Sequence, residues 1–246
     1  MSEPYYMAYE KRYQAAYSAG AERWGNSPED ENLYNVLKNW VEENGLKGKK
    51  IIEYACGEGA CGVILSKLGC AYYGVDISPS AIEKSNKLLE NYPNANCEVL
   101  DMVKECVNEK YDAALDCMGL HMLITDADRK NYLQNVYRAL NIGSPMLLFR
   151  ESYRKDGVYR GIVNSIEDWV QITGDDYETP QLRQVRNAVN GKEVEVFVPL
   201  LPARAKDMEG YIEEIEAVGF VVENFVEMDV SKAIAQSASI YIRKTQ

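Results

Sequence analysis

Residues 51–78 read IIEYACGEGACGVILSKLGCAYYGVDIS, and this stretch decides the fold class of the chain. The apolar run at 51–54 is typical of a buried strand, and a glycine turn follows at 55–59. A helix that ends near Leu68 and a second strand that closes on Asp76 complete a strand–helix–strand unit. Because parallel strands are joined by such crossover helices, the stretch predicts a parallel α/β sheet.

Small and polar residues at the two strand ends of this unit indicate a ligand site. Ligands of open α/β sheets bind outside the carboxyl ends of the strands. Gly57 and Gly59 lack side chains where the backbone must come close to such a ligand. Asp76, followed by Ile77, ends the second strand, where a carboxylate can accept hydrogen bonds from both hydroxyls of a ribose. The sequence therefore predicts a cofactor that contains adenosine.

The glycine turn alone leaves two kinds of cofactor open. Residues 57–62, GEGACG, match the G-x-G-x-x-G pattern of dinucleotide binding. Glu53 stands just before the turn, where its negative charge disfavours a pyrophosphate and favours a cationic sulfonium.

The segment also resembles motif I of the class I S-adenosylmethionine-dependent methyltransferases, an acidic residue followed by Gly-x-Gly-x-Gly. The pattern runs here through Glu53, Ala55, Gly57 and Gly59. Ala55 stands where the family usually has its first glycine, so the backbone approaches the cofactor less freely at this position.

The resemblance continues over roughly residues 49–150 and 207–246. In the family an acidic residue near the end of the third strand meets the adenine amino group, and Asp101 and Met102 take this place here. Asp116 stands at the end of the fourth strand. It either binds the cofactor's amino group or a substrate, or only terminates the strand.

This resemblance implies an α/β fold with the Rossmann-like seven-stranded sheet of the family, built from five parallel strands and a final antiparallel hairpin. It also implies S-adenosyl-L-methionine as cofactor, S-adenosyl-L-homocysteine as product, and methyl transfer to a small-molecule acceptor. Two alternatives stay open, an NAD-dependent oxidoreductase and a non-enzymatic S-adenosylmethionine-binding protein.

We expect one methyltransferase domain with additions. Residues 1–48 form a lid of two helices, the second capped by Ser27, while 49–150 and 207–246 form the cofactor-binding core. The strand–helix rhythm stops at 151–206, which we interpret as an inserted substrate cap that carries its own elements. Those elements are a helix near 166–172 and a strand at 192–198.

Composition narrows the choice of partners. The net charge of −11 opposes binding to nucleic acid or anionic membranes, and no apolar stretch is long enough to cross a bilayer. The six cysteines lack metal-site spacing, and the single histidine disfavours a zinc site, so we expect no metal. Reduced cysteines in and beside strands predict a cytoplasmic protein.

Tyrosines recur every fourth residue along the first predicted helix, at Tyr5, Tyr9, Tyr13 and Tyr17, and Trp24 follows. This spacing places them on one slowly drifting face, most of which we expect to pack against the core. One or two rings near a sulfonium would contribute a cation–π attraction of roughly 0.5–2 kcal/mol. Tyr13, Tyr17 and Trp24 are the candidates.

Two further groups are candidates for the chemistry itself. His121 is the one imidazole of the chain and a candidate general base, although in the family this Leu-His often serves packing near the cofactor. Arginines are concentrated in the predicted cap. Arg150, Arg154 and Arg160 are candidates to bind an anionic group of the substrate.

Overall fold

The computed structural model of the chain describes residues 3–228 and 236–246. Helices and strands alternate through most of this length, as the sequence pattern predicts. The α-helices are α1 (Ala8–Ser18), α2 (Glu31–Glu43), α3 (Ala60–Lys67), α4 (Pro79–Leu88), α5 (Asp126–Ala139), α6 (Ile166–Thr173) and α7 (Met208–Glu216). The strands are β1 (Lys50–Tyr54), β2 (Ala71–Asp76), β3 (Ala95–Val99), β4 (Ala113–Cys117), β5 (Pro145–Ser152), β6 (Gln181–Arg186), β7 (Glu193–Val198), β8 (Phe220–Met228) and β9 (Ser237–Lys244).

Seven of these strands form one sheet in the order β3-β2-β1-β4-β5-β9-β8. Strand β4 pairs in parallel with β1 and β5, and β2 pairs in parallel with β3. Strand β9 is antiparallel to both β5 and β8. The predicted sheet, parallel with a final antiparallel hairpin, is therefore confirmed.

The chain divides into two compact units. Unit 1 comprises residues 3–48, 56–100 and 175–201, with helices α1 to α4 and strands β2, β3, β6 and β7. Its added hairpin, β6–β7, packs against α1 through Val185, Val196 and Val198, which surround Ala16. The predicted strand at 192–198 is thus one half of a hairpin that covers the first helix.

Unit 2 comprises residues 49–55, 101–174 and 202–246, of which 229–235 lie outside the described residues. Strands β1, β4 and β5 form its centre, and the side chains of 113–115 and 146–149 are fully buried there. Helix α6 belongs to this unit, so the two elements predicted within 151–206 fall in different units.

Local hydrogen bonding decides where the helices begin. Ser78 caps α4, because its hydroxyl accepts from the N–H of Ala81. The prediction that Ser27 caps the second helix is wrong. Asp30 is the cap, and its carboxylate accepts from the N–H of Leu33 at 3.0 Å. Ser27 instead accepts from the N–H of Glu29 and closes a turn before the helix.

Two smaller differences concern the ends of elements. Tyr5 lies in a 3₁₀ turn before α1, so the tyrosine stripe of the helix proper begins at Tyr9. Strand β3 ends at Val99, so Asp101 stands two residues beyond the strand end. Within the described residues, no helix is both long and apolar enough to cross a bilayer.

The corrected cap generates a stability prediction. Replacement Asp30→Ala should lower the free energy of unfolding by about 1 kcal/mol, since the N–H of Leu33 then loses its acceptor. Ser27→Ala is the matched control and should change it by less than about 0.5 kcal/mol. Urea unfolding followed by circular dichroism measures both. A larger loss of unfolding free energy in Ser27→Ala than in Asp30→Ala would show that Ser27 is the cap.

Candidate functional site

The glycine turn of unit 1 is shaped by backbone conformations that disfavour side chains. Gly57 and Gly59 adopt φ angles of +52° and +79°, in the left-handed region. A Cβ on Gly57 would lie 2.7 Å from the hydroxyl of Tyr13, and one on Gly59 would lie 2.9 Å from the Cβ of Ser85. Both glycines are therefore required by conformation and by close packing.

Asp76 is buried and holds this turn to the end of β2. Its Oδ2 accepts from the N–H of Gly57 at 2.8 Å, and its Oδ1 accepts from the N–H of Ser78 at 2.9 Å. A carboxylate offers about four acceptor positions, so acceptor capacity remains for a ligand. Ile77 follows at the same strand end and is half-buried. The geometry fits the predicted ribose acceptor.

Two of the predicted aromatic residues of α1 contact the glycine turn. Tyr13 lies over Gly57, and burial, aided by the nearby Asp76 and Glu58, raises the pKa of its phenol well above the usual value. Tyr17 packs beside Tyr13 with ring centroids 5.8 Å apart, and its hydroxyl donates to Glu58 at 2.7 Å. The tyrosine face of α1 is thus directed to the glycine turn.

Glu58, the residue between the two glycines, organises the segment after α1. Its Oε2 accepts from the N–H groups of Trp24 and Gly25 at 2.9 and 2.7 Å. Its Oε1 lies 3.0 Å from the ammonium of Lys84, which stacks over the ring of Tyr17. Sequence reasoning missed this residue because it occupies a variable position of the motif.

A second carboxylate of α1 binds the start of α4. Glu10 accepts hydrogen bonds from the hydroxyl of Ser78 and from the hydroxyl and N–H of Ser80. Burial works against ionisation here, yet these hydrogen bonds lower the pKa of the Glu10 carboxyl overall. A negative charge is favourable at a helix N-terminus, so Glu10 fastens α1 to α4 beside Asp76.

Trp24 has a cationic neighbour within unit 1. The guanidinium of Arg12 lies 5.2 Å from the Trp24 ring and 5.9 Å from that of Tyr9. Its Nη2 donates to the carbonyl of Pro199, while its buried Nε has no hydrogen-bond partner in the described part of the chain. Burial, with the positive charge of Arg183 nearby, lowers the pKa of Arg12. A half-buried cation without an acidic partner favours an incoming anion.

In unit 2, strained backbone marks the carboxyl ends of the three central strands. Ala55 and Met118 directly follow β1 and β4, and Arg150 lies two residues before the end of β5; their φ angles are 51°, 71° and 58°. Non-glycine residues rarely adopt this conformation, and such strain of about 1–3 kcal/mol per residue tends to cluster at functional sites. The Ala55 position of motif I thus keeps the left-handed backbone of a glycine.

Three carboxylates are buried at the same strand ends, those of Glu53, Asp116 and Glu151. Asp116 accepts from the N–H of Gly119 and from the hydroxyl of Tyr132, both at 2.5 Å. Burial, together with the negative charges of Glu151 and Glu53, raises the pKa of Asp116 well above its usual range. Its contacts favour the structural role over the ligand role, since Oδ1 holds the loop after β4 and Oδ2 binds a tyrosine of α5.

The predicted adenine-binding pair, Asp101 and Met102, lies in the turn after β3. Asp101 accepts from the N–H groups of Val103 and Lys104 and pairs with the Lys104 ammonium at 3.0 Å. The carbonyl of Met102 accepts from the side-chain amide of Asn135 at 3.0 Å. These bonds hold the turn in shape.

His121 has the partner that sequence reasoning did not identify. It lies in a 3₁₀ turn at Leu120–Met122, and its Nδ1 is 2.9 Å from Oε2 of Glu151. The same oxygen accepts from the N–H of His121 at 2.7 Å. Both side chains are buried, with 7% of His121 and none of Glu151 exposed.

The three candidate arginines differ in their surroundings. Arg160 is ion-paired with Asp207 and Glu209, so its charge is compensated within the protein. The guanidinium of Arg150 stacks over the ring of Phe149 at 4.8 Å. Arg154 is exposed, and its N–H donates to the carbonyl of Lys206. No cluster of three metal-ligating side chains exists in residues 3–228 and 236–246.

Comparison with known proteins agrees with this geometry. Residues 51–143 match the model of a family described as "Methyltransferase domain". The chain has the fold of the class I S-adenosylmethionine-dependent methyltransferases. The ribosomal protein L11 methyltransferases of Cupriavidus taiwanensis and Psychrobacter arcticus are 38% and 40% identical to it over 51 and 50 residues. These matches cover 20% of this chain but only 17% and 16% of those relatives.

Solved structures of methyltransferases resemble this chain over nearly its whole length. The magnesium protoporphyrin IX methyltransferase of Synechocystis, solved with bound S-adenosylmethionine, has a TM-score of 0.66 at 11% identity. The match covers 99% of this chain and 98% of that protein's chain. The 1,6-didemethyltoxoflavin-N1-methyltransferase of Burkholderia thailandensis has a TM-score of 0.65 at 15% identity, with coverages of 100% and 92%. At these identities the likeness establishes the fold.

The environment of Asp76 predicts a pH dependence of stability. Burial raises its pKa to about 6, although N–H donors oppose the shift. The unfolded chain ionises this carboxyl near pH 4, so between about pH 4 and 6 the folded state binds more protons and loses stability as pH rises. Asp76→Asn abolishes this loss, and its melting temperature relative to the unmodified protein should therefore increase from about pH 4.5 to 7.

Thermal unfolding at three pH values measures this difference. Asp156→Asn is the matched control, because Asp156 is exposed and its replacement leaves the pH dependence intact. A constant difference between Asp76→Asn and the unmodified protein across this pH range would contradict the assigned pKa.

Proposed function

We propose that the protein transfers a methyl group from S-adenosylmethionine to a small-molecule acceptor. The observation that carries the proposal is Asp76, a buried carboxylate at the end of β2 that fixes the glycine turn and keeps acceptor positions for a ribose. Gly57 and Gly59 give the backbone conformation that such a turn needs. The family match at 51–143 supports the same reaction class.

The electrostatics of unit 2 support a sulfonium over a pyrophosphate. Glu53, Asp116 and Glu151 are buried at the ends of adjacent strands, and the charges of Glu53 and Glu151 produce a negative potential there. Such a potential stabilises a cation and repels a phosphate anion. An NAD-dependent oxidoreductase is therefore the weaker candidate.

We also propose that the acceptor carries an anionic group. Arg12 supports this, because its half-buried guanidinium has no acidic partner among the described residues and is flanked by aromatic rings. Of the arginines chosen from the sequence, Arg160 is already paired with two carboxylates. Arg150 and Arg154 remain candidates for the same role.

The residues of the chain have separable tasks in this reaction. S-adenosylmethionine, when bound, supplies an activated methyl carbon whose transfer is an in-line displacement. Asp76 would accept hydrogen bonds from the ribose, while Gly57 and Gly59 allow close approach of the backbone. Tyr13 and Tyr17 present aromatic faces at the turn and help to exclude water.

The cofactor assignment predicts selective stabilisation. S-adenosylhomocysteine should raise the melting temperature, and NAD and NADP should leave it unchanged, because a ligand stabilises only the state that binds it. Asp76→Ala should weaken S-adenosylhomocysteine binding at least about tenfold, which corresponds to 1.4 kcal/mol. The surface control Asp156→Ala should bind normally. Stabilisation by millimolar NAD, but not by S-adenosylhomocysteine, would establish the oxidoreductase instead.

The anionic acceptor predicts a preference that Arg12 controls. Radiolabelled methyl transfer would be measured to a panel of hydroxybenzoic and aminobenzoic acids and to their methyl esters. The acids should be preferred, and Arg12→Met should lower kcat/KM for them about tenfold or more, with little change for the esters. Arg160→Met is the control, as its partners lie within the protein. Equal transfer to acids and esters would contradict the proposal.

A further inference from the structure

Glu151 is a fully buried carboxylate with only one oxygen in use. Its Oε2 serves both the N–H and the Nδ1 of His121, at 2.7 and 2.9 Å. Its Oε1 has no hydrogen-bond partner within the described residues. A buried carboxylate in this state is costly for folding, so its retention requires a reason other than stability.

A β-bulge aims Glu151 at the histidine. Leu148 pairs with Ile240 and Glu151 pairs with Ala238, so three steps along β5 correspond to two along β9. The extra residue brings Glu151 onto the face of Leu148, where regular alternation would place Arg150. Arg150 absorbs the irregularity with its left-handed φ of 58°. Bulges of this kind redirect side chains beside active sites.

The backbone around His121 is fixed from two sides. Arg129 donates from Nη1 to the carbonyls of Leu120 and Leu123 at 2.8 and 2.9 Å. The N–H of Arg204 donates to the carbonyl of His121 at 2.8 Å. The positive charge of the Arg129 guanidinium is paired with the carboxylate of Glu214. The position of the imidazole is therefore determined independently of any ligand.

An ionised carboxylate accepts hydrogen bonds only, so the 2.9 Å contact with Glu151 favours the imidazole tautomer that carries its proton on Nδ1. The other ring nitrogen, Nε2, is then an acceptor, and it has no hydrogen-bond partner in the described part of the chain. Carboxylate and imidazole thus have the arrangement in which a histidine takes a proton from a third group. The third group has to come from a ligand.

We propose that His121 is the general base of the methyl transfer and that Glu151 is its positioning residue. The inference rests on the proposed function and deepens it, because it identifies the acceptor as a hydroxyl of a phenol or enol. Its proton passes to Nε2 while the oxygen lone pair forms the C–O bond. The C–S electron pair goes to sulfur, which becomes a neutral thioether, and the imidazolium later releases the proton to water.

The choice of a hydroxyl as the acceptor follows from how much each kind of acceptor group needs a general base. A phenolic hydroxyl has a pKa near 10, so at neutral pH it is a weak nucleophile until a base removes its proton, whereas an uncharged amine attacks through its free lone pair. A thiol ionises near pH 8.5 and needs less help. Glu151 also stabilises the imidazolium formed on proton transfer.

Because His121 is the single histidine of the chain, its ring can be observed directly by nitrogen-15 NMR. The neutral ring of the unmodified protein should be protonated at Nδ1 alone. Glu151→Gln, which is isosteric and can also donate, should give a mixture of tautomers. Protonation at Nε2 in the unmodified protein, or an unchanged tautomer in Glu151→Gln, would overturn the positioning role. This measurement does not depend on cofactor binding, so it can contradict the positioning role of Glu151 without contradicting the proposed function.

The acceptor class is tested with 4-hydroxy-, 4-amino- and 4-mercaptobenzoate as probes. His121→Gln should lower kcat for the hydroxy acid about 100-fold or more and Glu151→Gln about 10- to 100-fold, with KM little changed. The amino and mercapto acids should lose much less in both variants.

Melting curves with S-adenosylhomocysteine separate chemistry from folding. Both variants should keep the stabilisation by this ligand. Equal losses with all three probes, or a parallel loss of melting temperature and ligand stabilisation, would show a structural role only. If the unmodified protein binds S-adenosylhomocysteine but methylates none of a wider set of phenols and enols, the hydroxyl assignment is wrong.

Discussion

A buried carboxylate must find hydrogen-bond donors inside the protein, and this requirement organises the strand ends of the chain. Asp76 takes two backbone N–H donors after β2. Asp116 takes an N–H and a tyrosine hydroxyl after β4, and Glu151 takes the N–H and ring nitrogen of His121. Each carboxylate thereby fixes a loop that would otherwise be free to move. The backbone around the candidate site residues is thus held by hydrogen bonds to buried acids.

The same contacts sustain the strained backbone of unit 2. Ala55, Met118 and Arg150 hold left-handed conformations that disfavour any residue with a side chain. Such conformations persist only where the surroundings determine them more than once. Gly119 shows how tight these surroundings are, as a Cβ there would lie 2.5 Å from Oδ1 of Asp116 and 2.8 Å from the Cβ of Ala55. Strain and charge burial are thus parts of one arrangement.

The sequence predicts those features that depend on neighbouring residues. The glycine turn and the strand end at Asp76 follow from local pattern, and both are found. Asp30, and not Ser27, is the cap because the first helical turn places the N–H of Leu33, three residues later, within reach of the Asp30 carboxylate. Residue type alone does not determine which side chain receives this hydrogen bond. Glu151 was not predicted, because its direction depends on a bulge in the pairing with β9, a strand over 80 residues away. No local periodicity encodes that register.

The protonation of the acids in unit 2 bears on the chemistry that this site can perform. Burial and the charges of Glu151 and Glu53 raise the pKa of Asp116, so a proton stays there more readily than on an ordinary aspartate. A proton on Asp116 would reduce the repulsion among the buried acids and would leave the attraction between Glu151 and the imidazole undiminished. When His121 gains a proton, the new cation therefore faces a negative partner already in place and needs no reorganisation. Electrostatic preorganisation of this kind explains why a fold would retain a half-satisfied carboxylate in its core.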